Sequence, residues 1–231
     1  MPRTPQWPRR HCGVCLSTLC PIDATTKGRA AMTIPTDEVL EFWLGSDFPA
    51  SDSSAQRTRR WFSKDDDLDQ SIRERFGDAI DAALAGSFDD EVGNARDWLA
   101  LLILLDQFPR NVFRHSPRAF AGDAKALGLA RAGIARGDDQ DVHPMARLFC
   151  YLPFEHSEEL VMQEMAVAMF RSFQERATNE SAEMAKSWLD FAIRHHAIIE
   201  RFGRFPHRNQ LLGRESTSEE LAYLAEPGSG F

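Results

Sequence analysis

Apolar side chains recur three and four residues apart through most of this chain, and this spacing constrains the fold more than any other feature. Ile72, Phe76 and Ile80 would share one face of an α-helix, and similar stripes follow up to residue 202. The β-branched and aromatic residues do not alternate with polar ones, as they would in half-buried strands. The spacing therefore predicts an all-α fold of about eight helices that form an array or a bundle.

Residues 95–108 form the most apolar segment, because they are apolar nearly all round rather than along one stripe. Such a helix is covered on several sides and lies at the centre of a fold. Its strongly apolar run, residues 98–105, is far shorter than the roughly 20 residues that cross a bilayer. The segment therefore predicts a buried central helix that ends at Pro109, and we expect no membrane association.

The N-terminal residues 1–31 differ from the rest, since they are rich in proline and arginine and show no apolar periodicity. We therefore expect residues 1–31 to be a disordered or spurious extension, and residues 32–231 to form a single all-helical domain. A zinc knuckle stays open as an alternative for the extension, with His11, Cys12, Cys15 and Cys20 as its ligands, although no second pair of ligands follows at usable spacing. A targeting peptide is a further alternative.

Charge and cysteine content limit the partners and the compartment of this chain. The formal net charge is −8, and residues 1–31 carry five basic side chains against one acidic side chain, so the body is more acidic still. A general nucleic-acid binder needs a basic surface, so we expect no nucleic-acid partner. Cys150 is the single cysteine of the body. This usage indicates a reducing compartment, and we expect a cytoplasmic protein.

Two similar segments each follow a long helical stripe: FPRN at residues 108–111 and FPHRN at residues 205–209. Arginine side chains form forked pairs of hydrogen bonds with carboxylates and phosphates, and asparagine holds the polar edge of a ligand. We therefore expect these two loops to form a site for a small anionic metabolite. The candidate ligand-binding residues are Gln107, Arg110, Asn111, Arg204, Arg208 and Asn209.

A structural role for the same residues stays open. Arginines near the end of a helix satisfy its carbonyl groups and its negative dipole. Asp106 lies one turn before Arg110 and is a candidate partner inside the protein for these arginines. The distance between Arg110 and Arg208 separates the two interpretations, because a shared site brings them together around an opening and a structural role buries each against a helix end.

Three residues are candidates for a catalytic role. His156 lies in YLPFEHSE at residues 151–158, next to a predicted helix start, and His207 lies in the second loop. Imidazoles titrate near neutral pH and therefore suit proton transfer. Asp106 is expected to orient an arginine or to act as a base. Ser157 is better explained as a helix N-cap than as a nucleophile, and the chain has no Gly-x-Ser-x-Gly motif.

Two other classes of function stay open. A helical array can present a groove to a protein or peptide partner. His156, His196 and Glu200 would be the ligands of a metal-dependent helical enzyme, although the last two also suit a surface ion pair on one helix face. His195 lies on the apolar stripe and is expected in the core. The chain has no glycine-rich phosphate loop, and its sequence identifies no cofactor.

Six segments of the chain resemble the bacterial family called domain of unknown function 924. They are VLEFW at 39–43, RWF at 60–62, LDQFPRN at 105–111, YLPFEHSE at 151–158, FGRFPHRN at 202–209 and LGREST at 212–217. The resemblance implies an all-α fold similar to tetratricopeptide-like superhelices, and it implies no reaction. The family pattern often has methionine where this chain has Glu155, so the resemblance gives Glu155 no catalytic role.

Overall fold

The computed structural model describes residues 33–46, 48, 59–178 and 181–229. The predictions for residues 1–31, including the zinc knuckle, lie outside these described residues. Ten α-helices lie wholly within the described part of the chain, eight of them seven or more residues long, and the described residues include no strand. The predicted all-α fold of about eight helices is therefore confirmed. None of the described helices is both long and apolar enough to cross a membrane.

Helices of very different length alternate with short turns. The α-helices are α1 (Thr36–Leu44), α2 (Asp66–Leu84), α3 (Ala95–Leu102), α4 (Phe108–Val112), α5 (Asp123–Arg136), α6 (Asp138–Asp141), α7 (Arg147–Glu155), α8 (Leu160–Glu175), α9 (Ala182–Phe202) and α10 (Ser218–Leu224). A π-helical segment, Ile103–Gln107, joins α3 directly to α4. Three short 3₁₀ turns, Pro117–Phe120, Pro144–Ala146 and Pro206–Arg208, each begin with a proline, whose missing N–H group is not needed at the first position of a helix.

One apolar core reaches from the start of α1 to the middle of α9. Helix α3 and the π-helical segment lie at its centre, because every residue from 98 to 105 is at most 2% exposed. The predicted buried central helix is therefore confirmed. Phe108 continues the same core, since its ring lies edge-on to that of Trp43 with 5.4 Å between the centroids. Asp106 and Gln107, the polar residues of the π-helical segment, are therefore buried inside the core.

Pro109 does not end the central helix, contrary to the prediction. The helix widens into the π-helical segment, where the Phe108 N–H group donates to the Ile103 carbonyl five residues earlier. Pro109 then lies in the first turn of α4, where a missing N–H group breaks no hydrogen bond. The first predicted loop, 108–111, is consequently helical, whereas the second, 205–209, contains a 3₁₀ turn. The two similar segments thus adopt different backbone conformations.

The chain between α7 and α8 also differs from the prediction. Pro153 does not interrupt α7, because it lies in the last turn, where it forfeits a single backbone hydrogen bond. The N-cap of α8 is Glu159 and not Ser157, whose hydroxyl instead accepts the Glu159 N–H group at 3.1 Å. Helices α7, α8 and α9 pack against one another in sequence order. The turn between α7 and α8 places His156 directly at the end of α7.

A close approach between two backbones fixes the start of α5. A Cβ atom added at Gly122 would lie 2.1 Å from the carbonyl oxygen of Leu105 in the π-helical segment. No larger residue fits there unless one of the two backbones moves. The approach brings Asp123, the first residue of α5, within hydrogen-bond distance of Arg110.

We expect Gly122→Ala to lower the free energy of unfolding by about 1–3 kcal/mol, the usual effect of extra atoms in a packed region. Urea denaturation measures this change. Gly128→Ala in α5 is the matched control, because nothing lies within 4 Å of a Cβ atom there. Since alanine is about 1 kcal/mol better than glycine in a helix, the control should be at least as stable as the wild type. Equal stability of the two variants would contradict the close approach.

Candidate functional site

Asp106 is a charged group in the centre of the fold, with 1% of its surface exposed. It accepts a hydrogen bond from Nδ1 of His156 at 2.7 Å and another from the side-chain amide of Gln107. The Arg110 guanidinium lies 3.7 Å away. Burial alone would raise the pKa of Asp106, but His156 and Arg110 outweigh burial and hold that pKa below its usual value. Asp106 is therefore an ionised partner that a histidine and an arginine share.

His156 is held at the end of α7 by the turn that follows it. The side-chain amide of Gln163 donates to the carbonyl oxygens of Glu155 and Ser157, both at 2.6 Å, so it satisfies carbonyl groups near the helix end. Burial and the nearby Arg110 lower the pKa of His156, and its imidazole is therefore neutral at pH 7. Because Nδ1 carries the hydrogen that Asp106 accepts, Nε2 has a lone pair. The arrangement places a neutral base beside an arginine.

Asp123 brings the two predicted segments together. Its carboxylate accepts two hydrogen bonds from the fork of Arg110, at 2.8 and 3.0 Å, and one from Nη1 of Arg208 at 2.9 Å. The side chains of Arg110 and Asp123 are 20% and 19% exposed, and that of Arg208 is 8% exposed. The two arginines therefore meet at the edge of the core, where the cluster is partly open to solvent.

Each guanidinium has further supports besides Asp123. Arg110 also donates to two backbone carbonyl oxygens, at 3.0 and 3.3 Å. Arg208 lies over the rings of Phe120 and Phe205, with its guanidinium carbon 4.6 Å from each centroid. Cations are attracted to the faces of aromatic rings in this geometry. The two arginines are therefore positioned from several sides by backbone and aromatic groups.

The carboxylates near Arg208 offset the burial of its guanidinium only in part. Burial and the neighbouring Arg110 lower the pKa of Arg208 to about 10, and Asp123 offsets them only in part. The Nε–H group of Arg208 is buried and meets no hydrogen-bond acceptor among the described residues. A buried donor without an acceptor costs roughly 1–3 kcal/mol. The position therefore favours an additional anion.

Three of the predicted ligand-binding residues lie in other contacts. Asn111 donates to the carboxylate of Asp69 at 2.8 Å. Arg204 and Asn209 both donate to Glu220, at 2.6 and 3.3 Å. The hydrogen bond from Arg204 is the main reason that the pKa of Glu220 falls to about 2. These three residues thus make contacts within the protein, and the fold does not bring them to Asp123.

A groove with a volume of about 420 Å³ lies between the end of α9 and the start of α10. It is lined by Arg201, Phe202, Arg204, Thr217, Glu219 and Glu220. Arg201 pairs with Glu219 at 2.9 Å, and Arg204 pairs with Glu220 at 2.6 Å. The cations of this groove already have carboxylate partners, so it differs chemically from the cluster around Asp123.

Two further histidines lie beside the aromatic ring that supports Arg208. The Phe205 ring lies 5.5 Å from the ring of His207 and 5.6 Å from that of His195. Burial and Arg208 lower the pKa of His207 to about 4, so this imidazole is neutral at pH 7. His195 is buried, as predicted, and its Nδ1 atom lies 2.9 Å from a carboxylate oxygen of Glu155. Of the predicted residues, Asp106, Gln107, Arg110, His156 and Arg208 meet directly in one cluster, and His207 lies at its side.

Sequence reasoning missed Asp123 and the role of Glu158. Asp123 looks like an ordinary acidic residue at a helix start, where it complements the helix dipole, and nothing in its spacing points to the two arginines. Glu158 has a signal, since it belongs to the YLPFEHSE motif, but its pattern suggested only a helix start. Its carboxylate accepts a fork from Arg214 at 2.7 and 2.9 Å and the Phe205 N–H group at 2.8 Å. Glu158 therefore ties the second segment to the turn after α7.

The metal-dependent alternative requires His156 to share a centre with His196 and Glu200. His156 forms its hydrogen bond with Asp106. Within the described ranges, no three histidine, cysteine or acidic side chains are arranged to hold a metal ion.

The fold and the cluster define an all-α protein with a partly buried centre of arginine, carboxylate and histidine groups. The chain belongs to a family of bacterial proteins of unknown function, DUF924, whose model matches residues 39–228. It is similar to the solved structure of a protein of unknown function from Agrobacterium tumefaciens, with 37% sequence identity and a TM-score of 0.69 over 82% of this chain and 96% of that chain. No curated protein matches the chain. The predicted family is therefore confirmed, and neither the family nor the neighbour carries a named reaction.

His207 makes the stability of the protein depend on pH. Its pKa is near 6.5 in the unfolded chain and about 4 in the folded protein, so unfolding takes up a proton between these values. The stabilisation is fully present above pH 6.5 and is lost as the pH falls towards 4, by up to about 3 kcal/mol. We expect urea denaturation to show this loss between pH 7 and pH 5, and we expect His207→Gln to remove most of it. His115→Gln, at an exposed position, is the control, and an unchanged pH slope in His207→Gln would contradict the prediction.

Proposed function

We propose that the protein binds a small anionic metabolite at Arg110 and Arg208, and that His156 exchanges a proton with it. The observation that carries this proposal is the meeting of two guanidiniums on one carboxylate at the edge of the core. Arg208 in particular has a lowered pKa and a buried Nε–H group without an acceptor in the described part of the chain. A bound anion would supply the charge and the acceptor together.

The surroundings of the two arginines favour a carboxylate or a phosphate as the anionic group of the ligand. Guanidinium forks match the paired oxygens of both groups. The ring of Phe120 lies 5.7 Å from the guanidinium carbon of Arg110 and 4.6 Å from that of Arg208, so it offers an apolar face for the rest of a ligand. Because the side chains of the cluster are at most one-fifth exposed, the site suits a small molecule.

His156 is the residue that we place in the proton-transfer step. Asp106 accepts the Nδ1–H group of His156, which orients the ring and leaves Nε2 to accept a proton. The lowered pKa of His156 keeps the imidazole unprotonated at pH 7, as a general base requires. Gln107 supports Asp106 through a hydrogen bond. A catalytic role for His207 stays a prediction.

We also propose that residues 32–231 work as a single domain in the cytoplasm. The apolar core is continuous from α1 to α9, which supports one cooperative unit. Cys150 is a buried free thiol, which suits a reducing compartment. The acidic composition of the body supports a partner other than nucleic acid.

Isothermal titration calorimetry with inorganic phosphate and with succinate tests the anion site. We expect Arg208→Gln to weaken binding about 10- to 100-fold, because a hydrogen bond to a charged group contributes roughly 1.5–3 kcal/mol. Arg118→Gln is the matched control, since the ion pair of Arg118 with Asp81 is exposed, and it should leave the affinity unchanged. Equal weakening in the two variants would refute the site. A folded wild-type protein that binds neither anion would refute it as well.

The proton role of His156 predicts a second signal in the same titrations. A bound anion raises the pKa of the adjacent imidazole, so binding takes up a proton from the buffer. Phosphate itself titrates near pH 7, so succinate is the anion for this measurement, and its binding enthalpy to the wild type at pH 7 should depend on the ionisation enthalpy of the buffer. We expect His156→Gln to bind succinate without this dependence. A buffer-independent enthalpy in the wild type would argue against the proton role and leave the anion site standing.

A further inference from the structure

Asp123 occupies the place that the proposed function gives to the ligand. Its two carboxylate oxygens accept three N–H groups from Arg110 and Arg208, which are the contacts expected of a bound carboxylate. The chain thus provides an anion of its own between the two guanidiniums. Such a group either holds the two arginines in position or competes with a ligand for them. The other contacts of the two arginines show which of these roles Asp123 has.

Arg110 has a position that does not depend on Asp123. Its Nη1 atom donates to the carbonyl oxygens of Asp106 and Ala119, at 3.0 and 3.3 Å. Its Nη2 atom lies 3.7 Å from the buried carboxylate of Asp106. Two backbone acceptors and one fixed carboxylate therefore keep the fork in place when the side chain of Asp123 moves.

Arg208 is likewise held by groups other than Asp123. Its guanidinium carbon lies 4.6 Å from the ring centroids of both Phe120 and Phe205. The backbone of Phe205 is tied in turn to the carboxylate of Glu158 at 2.8 Å. Because the side chain of Arg208 is only 8% exposed, it has little room to move. Asp123 therefore contributes charge to Arg208 and does not determine its position.

The side chain of Asp123 is partly exposed where it meets the arginine pair. It is 19% exposed and lies on the first residue of α5. The close contact between Gly122 and Leu105 holds the adjacent backbone, so the carboxylate can rotate towards solvent while the helix stays in place. The carboxylate of Asp106, at 1% exposure, has no such freedom.

We propose that Asp123 is an internal competitor of the ligand, and that its carboxylate rotates out when an external carboxylate or phosphate binds between Arg110 and Arg208. This inference rests on the anion site of the proposed function. It gives Asp123 a regulatory role, because this residue neutralises the arginines of the empty site and thereby sets the affinity for external anions. Loss of its charge should strengthen anion binding, whereas loss of a structural support would weaken it.

Asp123→Asn tests this role, because the variant keeps the size of the side chain and removes its charge. Calorimetric titration with phosphate and succinate at constant ionic strength gives the two affinities. We expect Asp123→Asn to bind each anion about 10-fold more tightly than the wild type, since the ligand no longer displaces or repels a carboxylate. Asp138→Asn is the matched control, because it removes the same charge from an ion pair with Arg136 at the other end of α5. Its affinity should stay within about twofold of the wild type.

Each outcome of these titrations has a definite meaning. Equal or weaker binding by a folded Asp123→Asn protein, while the wild type binds, overturns this inference and leaves the anion site intact. Failure of both folded proteins to bind either anion overturns the proposed function together with the inference. If Asp123→Asn does not fold, wild-type crystals grown in phosphate decide. Phosphate at both arginines with Asp123 turned to solvent supports the inference, and an unmoved Asp123 or a site without phosphate overturns it.

Discussion

Asp106 carries a negative charge in the centre of an apolar core, and the pairing of that charge organises the structure around it. A buried carboxylate is tolerated only when hydrogen bonds and opposite charges compensate for the lost hydration. His156 reaches it from the end of α7 and Arg110 from α4. The π-helical segment places Asp106 and the Arg110 turn on one continuous helical axis. The position of the end of α7 relative to α4 therefore depends on a single buried group.

The charges then alternate from the core towards solvent. Arg110 pairs with Asp106 on its inner side and with Asp123 on its outer side, and Asp123 pairs again with Arg208. Arg110 and Asp123 each have two neighbours of opposite charge in this row, whereas Arg208, at its outer end, forms its ion pair with Asp123. Arg208 consequently has a lowered pKa and an unmatched buried donor among the described residues. We assign anion binding to the site because Arg208 lies at the outer end of this row of charges.

The polar residues of the two similar segments show how far sequence reasoning reaches. The pattern Phe-Pro-Arg-Asn singled out Arg110 and Arg208, which meet on one carboxylate. It also suggested Asn111 and Asn209, whose amides turn to Asp69 and Glu220. An arginine fork or an amide N–H group donates to any carboxylate of suitable geometry, so the residue types alone do not select the partner. The likeness of the two segments was real in sequence and absent in backbone conformation, since one is helical and the other contains a 3₁₀ turn.

The sequence by itself determined the all-α fold, the buried central helix and the residues that carry charge near its end. Helices follow from local periodicity because their hydrogen bonds and stripes join residues only three or four positions apart. Tertiary structure alone decided which of these charges meet. Asp106 and His156 are 50 residues apart, and Asp123 and Arg208 are 85 apart. Contacts over such separations arise when whole helices pack, and the close approach at Gly122 shows that backbone fit, as much as charge, selects the partners.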